Sequence, residues 1–201
     1  MTRIDCTLVV EDELSELVLR KTIAYSAPSL RPTSIRVTAG FGAMKRDLCA
    51  YNSAARSRPY IVLTDLDNTV CPSALIEDWF RGIHRQSGLL FHVAIREVES
   101  WVLADRQSVA NLLRVQANLI PSDPDALPDP KQTIISLAKR SKRKDARQAL
   151  IPIGNAKQGP DYNNFLGDFV SSSWQVPVAE TLSPSLARAV ARIRNFAEAP
   201  L

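Results

Sequence analysis

Carboxylates stand where two apolar runs end. Val9-Val10-Glu11-Asp12-Glu13 closes one run, and Val62-Leu63-Thr64-Asp65-Leu66-Asp67 closes another well downstream. If the two runs are neighbouring parallel strands, their acids meet at one edge of the sheet, where open α/β folds place their sites. Carboxylates gathered this closely repel one another and require a cation. Hard oxygen donors suit Mg²⁺ or Mn²⁺, and such an ion suits phosphate chemistry. In an extended strand, residues two apart point the same way, so Asp65 and Asp67 can face one metal. Glu11 is then a metal ligand or the general base for a water. Glu97 and Glu99, just past a further predicted strand end, can complete the shell. Two metals about 4 Å apart would activate a water and stabilise the leaving oxygen of a phosphodiester; one metal with a general acid fits the same residues. Acids at strand ends are also ordinary turn formers. Their recurrence at three strand ends of one sheet edge is what favours the functional reading.

Strand and helix alternation must position these acids. The strands are expected at Cys6 to Val10, Ser34 to Thr38, Tyr60 to Thr64 and Leu89 to Ile95, each rich in apolar or β-branched residues. Helical spacing of Leu14, Leu17, Val18 and Ile23 fills the first gap. A helix from Ala43 to Ala55, preceded by the Gly40-Phe41-Gly42 turn, fills the second, and one opened by Pro72 and Ser73 fills the third. This is β-α-β-α-β-α-β, an α/β fold with a mostly parallel sheet and right-handed crossovers. Arg96 to Asp105 has helical character directly after the fourth strand. Four prolines between Ile120 and Pro130 bar helix and sheet and make a connection. Helices are expected afterwards at Lys131 to Arg140, Tyr162 to Ser172 and Ser185 to Phe196. The division is a core over 1–115 and a helical C-terminal portion over 116–201, packed on that core.

At 201 residues the chain can bury one good core and is short for two independent domains. With 45% hydrophobic and 23% charged residues it has the composition of a soluble globular protein, so disorder is not expected. No apolar run approaches the roughly 18 residues of a membrane span, and Met1 to Cys6 lacks the apolar core of a signal peptide, so the cytoplasm is the expected compartment. Cys6, Cys49 and Cys71 form no paired-cysteine motif and read as reduced and packed. His84 and His92 are too few for a histidine-rich metal site, and His92 reads as a packed residue of its strand. No phosphate-binding glycine loop ending in Gly-Lys-Ser/Thr is present, so the chain is not expected to hydrolyse ATP itself. Trp79, Trp101 and Trp174 read as core rather than base-stacking residues. The net charge of +4 is modest, but Lys139, Arg140, Lys142, Arg143 and Lys144 concentrate it in one run, a candidate contact for nucleic-acid phosphates.

The same residues resemble the Toprim fold shared by topoisomerases, bacterial primases and overcoming-lysogenization-defect nucleases. Glu11 matches its glutamate at the end of strand one, and Asp65 with Asp67 matches its later Asp-x-Asp. Asp12 departs from the glycine that usually follows the glutamate. Together with the stretch from Arg96 to Asp105, most of the chain looks like a small stand-alone Toprim-like family. That resemblance implies divalent-metal-dependent nuclease activity on DNA or RNA. It also implies partnership with an ATPase in anti-phage or mobile-element loci. A non-catalytic partner subunit is the alternative of a different class. The receiver domain of response regulators is also similar around Leu8 to Glu13, with Asp65 near the phosphoacceptor position. Its Ser or Thr after strand four is missing, however, and Lys131 follows a proline-rich loop rather than a strand.

Overall fold

The computed structural model describes residues 3–38 and 40–199. Four strands form one all-parallel sheet: β1 (Ile4–Val10), β2 (Leu30–Val37), β3 (Tyr60–Asp65) and β4 (Leu89–Ala94), in the order β2-β1-β3-β4. The central strands are near-continuous apolar runs because helices cover both faces. Leu8, Val9 and Val10 are fully buried, as are Ile61, Val62 and Leu63. β2 is an edge strand and tolerates Pro32. The register with β1 shifts between Cys6 and Thr7, which pair with Pro32 and Ser34 and leave Thr33 as an extra residue.

The strand order fixes where the helices go. α1 (Glu13–Ser26) returns the chain from β1 to β2 on one face. α2 (Phe41–Ala54) and α3 (Pro72–Trp79) carry it the other way, through β3 to β4, on the opposite face. Two apolar clusters result. Leu14, Val18 and Ile23 of α1 join the first, while Met44, Leu48, Leu75 and Trp79 make the second with Val9, Val62 and Phe91. The reversal of direction between β1 and β3 opens a crevice at their carboxyl ends.

The C-terminal helices extend the α1 face. They are α4 (Glu99–Ala104), α5 (Arg106–Leu113), α6 (Pro130–Lys139), α7 (Lys144–Leu150), α8 (Tyr162–Ser172), α9 (Val176–Ala179) and α10 (Pro184–Glu198). Every residue of α4 is buried, which makes this short helix the hub of the larger cluster. Its Trp101 Nε1 donates to Ser185 Oγ at 2.7 Å, and Trp174 Nε1 donates to the Trp101 carbonyl at 3.2 Å. Buried Asp105 caps α5 through Ser108 N and accepts from Gln175 N. The proline-rich connection is pinned by Asp125, whose two oxygens accept from Ser183 Oγ and Ser185 N at the start of α10.

Three expectations are corrected here. The segment after β4 is not helical from Arg96: that residue has φ +60°, and the helix begins at Glu99. α5, α7 and α9, only four to eight residues long, were not foreseen. Cys6 is buried as expected, but Cys49 is exposed and Cys71 half-buried. All three tryptophans are core residues. No helix among the described residues is long and apolar enough to cross a membrane.

Because α4 and Trp174 sit in the cluster that also holds α1, truncation at residue 174 should be felt by the whole chain. Trp174→Ala should cost about 3–5 kcal/mol. Chemical denaturation followed by both tryptophan fluorescence and far-ultraviolet circular dichroism should shift as one transition; two separated transitions would show independent units.

Candidate functional site

The acids named above lie at the carboxyl edge, on both sides of the β1/β3 crevice. Glu11 follows β1, and its carboxylate is fastened across the crevice: Oε1 accepts from Thr64 Oγ1 at 2.7 Å and from Asp65 N at 3.1 Å. Asp12 turns the chain into α1 and caps it, accepting from Ser15 N at 2.8 Å. Asp65, the last residue of β3, is half-buried, and its Oδ1 accepts from Val98 N at 2.9 Å. This bond ties β3 to the turn that leads from β4 into α4.

That turn has an unusual backbone. Arg96 (φ +60°) and Asp67 (φ +47°) both adopt the left-handed region, which costs side-chain-bearing residues energy and persists only where neighbours enforce it. They enforce each other: Asp67 N donates to the Arg96 carbonyl at 2.8 Å, and Arg96 Nη1 donates back to the Asp67 carbonyl at 2.8 Å. The strand has ended by then, so the extended two-residue spacing expected for Asp65 and Asp67 does not apply, and Asp67 is exposed.

Glu97 and Glu99 reach the site from beyond β4, joined by two residues with no sequence signal for it. Lys131 N, at the start of α6, donates to Glu97 Oε2 at 2.9 Å. The Lys131 ammonium lies 3.8 Å from Glu97 Oε1 and 3.4 Å from Glu99 Oε1. Tyr162 OH donates to Glu99 Oε1 at 3.2 Å. Asp129 and Pro130 announce the start of α6, but nothing in the sequence says that Lys131 turns toward the acids.

Crowding and burial raise the carboxyl pKa values here. Asp65 is pushed well above the usual range, first by burial and then by the charges of Glu99, Glu11, Asp12 and Asp67. Glu11 is pushed up by burial, against the opposing bonds from Thr64 and Asp65. Glu99 is pushed up to about 7 by burial; Lys131 partly offsets this and Glu97 adds to it. Burial works against the charge of Lys131, yet Glu99, Glu97, Asp12 and Asp65 outweigh it and hold the ammonium above the usual lysine value. Tyr162 is raised well above its ordinary value by burial and by Glu99.

The donors match a hard divalent cation in kind. Glu11 Oε2 and Asp65 Oδ2 accept nothing from the described residues, while Glu97 and Glu99 bring their oxygens to Lys131. As the side chains stand, no group of three or more His, Cys, Asp or Glu among the described residues is arranged to hold a metal ion. Lys131 is the cation that meets the acids directly. The basic run lies at the other end of α6: Lys139, Arg140, Lys142 and Lys144 are exposed. Arg143 is instead built into the fold, bonding the Leu112 carbonyl and Asp145 and covering the Phe165 ring.

No protein-family model, curated protein or solved structure matches this chain. The site therefore rests on its own geometry.

Glu99 gives the site a pH signature. Its pKa rises from the ordinary 4.5 to about 7 on folding, so the folded state takes up a proton between those values. The stabilisation is complete below the ordinary glutamate value and is lost as pH rises through about 7, an effect of up to about 3 kcal/mol. In metal-free buffer the melting temperature should fall between about pH 5 and about pH 8, and Glu99→Gln should reduce that fall, leaving the part that Asp65 and Glu11 contribute. An unchanged slope in the variant would assign the effect elsewhere.

Proposed function

We propose that this chain is a divalent-metal-dependent phosphodiesterase, a nuclease acting on DNA or RNA. The observation that carries this reading is the accumulation of Glu11, Asp65 and Glu99 behind three laterally adjacent parallel strands, with Lys131 as their built-in counter-charge. A site that stores this much negative charge is suited to a multivalent cation. Glu11, Asp65, Glu97 and Glu99 would hold Mg²⁺ or Mn²⁺. Once bound, the ion supplies Lewis-acid stabilisation of phosphate oxygens and a more acidic water.

The chain's own groups do the rest. Thr64 and the Asp65 N–H fix one oxygen of Glu11 and leave the other without a partner among the described residues, available as ligand or base. Glu99 titrates near neutrality and is therefore suited to giving or taking a proton, with Tyr162 and Lys131 fixing its orientation. Lys131 offers positive charge to a phosphate drawn into the crevice. Lys139, Arg140, Lys142 and Lys144 are exposed and suited to the flanking backbone phosphates. The Toprim-like resemblance supports the same activity and adds an ATPase as partner.

One observation favours a second reading. Lys131 already neutralises part of the cluster, and the carboxylates do not converge as a ready metal cage. On that reading the chain is a non-catalytic subunit that binds nucleic acid and an ATPase, and it has no affinity for Mn²⁺ at the acids.

Calorimetric titration of Mn²⁺ separates the two. Binding should be seen with the native chain and be lost in Asp65→Ala/Asp67→Ala. The exposed position of Asp67 means that Asp67→Ala alone should weaken binding less than Asp65→Ala. Metal-dependent cleavage should drop by about 100-fold or more in Asp65→Ala. Cleavage that survives the double substitution would remove the acids from the mechanism. Replacing Lys139, Arg140, Lys142 and Lys144 by Ala should lower the slope of log affinity against log salt by about 0.9 per lost duplex-phosphate contact. The further change Arg143→Ala should act through stability instead.

A further inference from the structure

A second concavity lies along the outer edge of β4, between α3 and α10. It has a volume of about 220 Å³, and Ser73, His92, Arg188 and Arg192 line it, with Ile76 and Ala189 among its apolar wall. None of its lining residues is an aspartate or glutamate. None belongs to the acidic cluster.

His92 is the informative member. The residue is 4% exposed, and its Nε2 is enclosed and has no hydrogen-bond partner among the described residues. Buried polar atoms in native proteins are nearly always paired, so an unpartnered nitrogen on a residue of the cavity wall is unusual. Burial, with the charges of Arg192 and Arg85, depresses the imidazole pKa to about 3, so the ring is neutral and has one N–H to give. Around it the charge is positive. Arg188 and Arg192 stand one turn apart on α10, both exposed, and neither forms an ion pair or side-chain hydrogen bond with the described residues. Arginines left unpaired by the described residues have donors to offer a ligand. Ser73 adds a hydroxyl and lies in the first turn of α3, whose cap residue Cys71 supplies no side-chain bond.

We infer that this cavity binds a phosphate group, held by the guanidiniums of Arg188 and Arg192 and the α3 start at Ser73, with the His92 ring in the cavity wall. Two forked cations match the charge and the several oxygens of a phosphate dianion better than a single carboxylate. A cavity of this size holds about seven waters, which leaves room for a small ester substituent beside the phosphate. The inference does not rest on the acidic cluster.

The test uses the full chain in low salt with a chelator, so that metal at the acids plays no part. Inorganic phosphate is titrated by calorimetry and by histidine-selective nuclear magnetic resonance. Saturable binding is expected, with the His92 ring signal moving and the His84 signal still. Arg188→Gln/Arg192→Gln should weaken binding at least about tenfold with the fold unchanged by circular dichroism. Asp65→Ala/Asp67→Ala should bind phosphate normally. A nucleoside 5′-monophosphate that binds more tightly than inorganic phosphate identifies the ligand as an ester, and equal affinity identifies the free ion. An immobile His92 signal, no binding on the order of 10 mM phosphate, or equal binding by the double glutamine variant would overturn the assignment.

Discussion

One carboxylate oxygen organises the carboxyl edge of this protein. Glu11 Oε1 accepts from Thr64 Oγ1 and Asp65 N across the point where the sheet reverses its winding. Adjacent strands there diverge toward opposite faces, and their ends need a tie that ladder hydrogen bonds no longer supply. Asp65 passes the connection on to Val98 N, so β1, β3 and the segment after β4 are linked in series by side-chain oxygens and backbone amides. The same linkage gathers charge that burial makes costly. Local order at this edge and electrostatic stress at this edge therefore have one origin.

The stress is distributed unequally. Asp67 and Asp12 keep access to water, and Glu97 shares its charge with Lys131 through both the ammonium and the backbone amide. Glu99 is the deepest of the acids, enclosed by α4 and met by Tyr162 and Lys131. A buried pair of this kind is weak evidence for stability, since desolvation offsets the attraction. Its retention beside the crevice is better understood as part of a site than as reinforcement of a core that already has Trp101, Trp174 and Tyr162.

Much of this was legible in the sequence, for identifiable reasons. The strands β1, β3 and β4 are dense apolar runs that alternate with helical spacing, and runs of that kind in a parallel sheet end at one edge, which is why Glu11 and Asp65 could be placed together. Tyr162 to Ser172 was readable to the residue as α8 because its apolar positions repeat cleanly. The backbone beyond β4 was not readable. Arg96 is an ordinary residue type in a left-handed conformation, stabilised by Asp67 from a distant part of the chain, and propensity carries no such information. Lys131 and Tyr162 were missed for the same reason: their partners are non-local, and neither type at its position signals an acid across the fold. His92 was correctly expected to pack in its strand, but its orphan nitrogen emerges only from the packing.

α6 joins two parts of the molecule that differ in charge. Its first turn is bonded to Glu97 through Lys131 N, and its last residue, Lys139, opens the basic run. A helix is a rigid connector whose faces are set by residue count, each residue adding about 100° of rotation and about 1.5 Å of length. Single-residue insertion within α6 would swing Ile134, Leu137 and their neighbours out of the core while rotating everything beyond. Variation in length should therefore be confined to stretches such as the exposed segment from Gly154 to Lys157, where the chain is free of such phase. The helix tolerates changes of letter on its outer side, but its length behaves as a fixed gauge between the acids and the basic run.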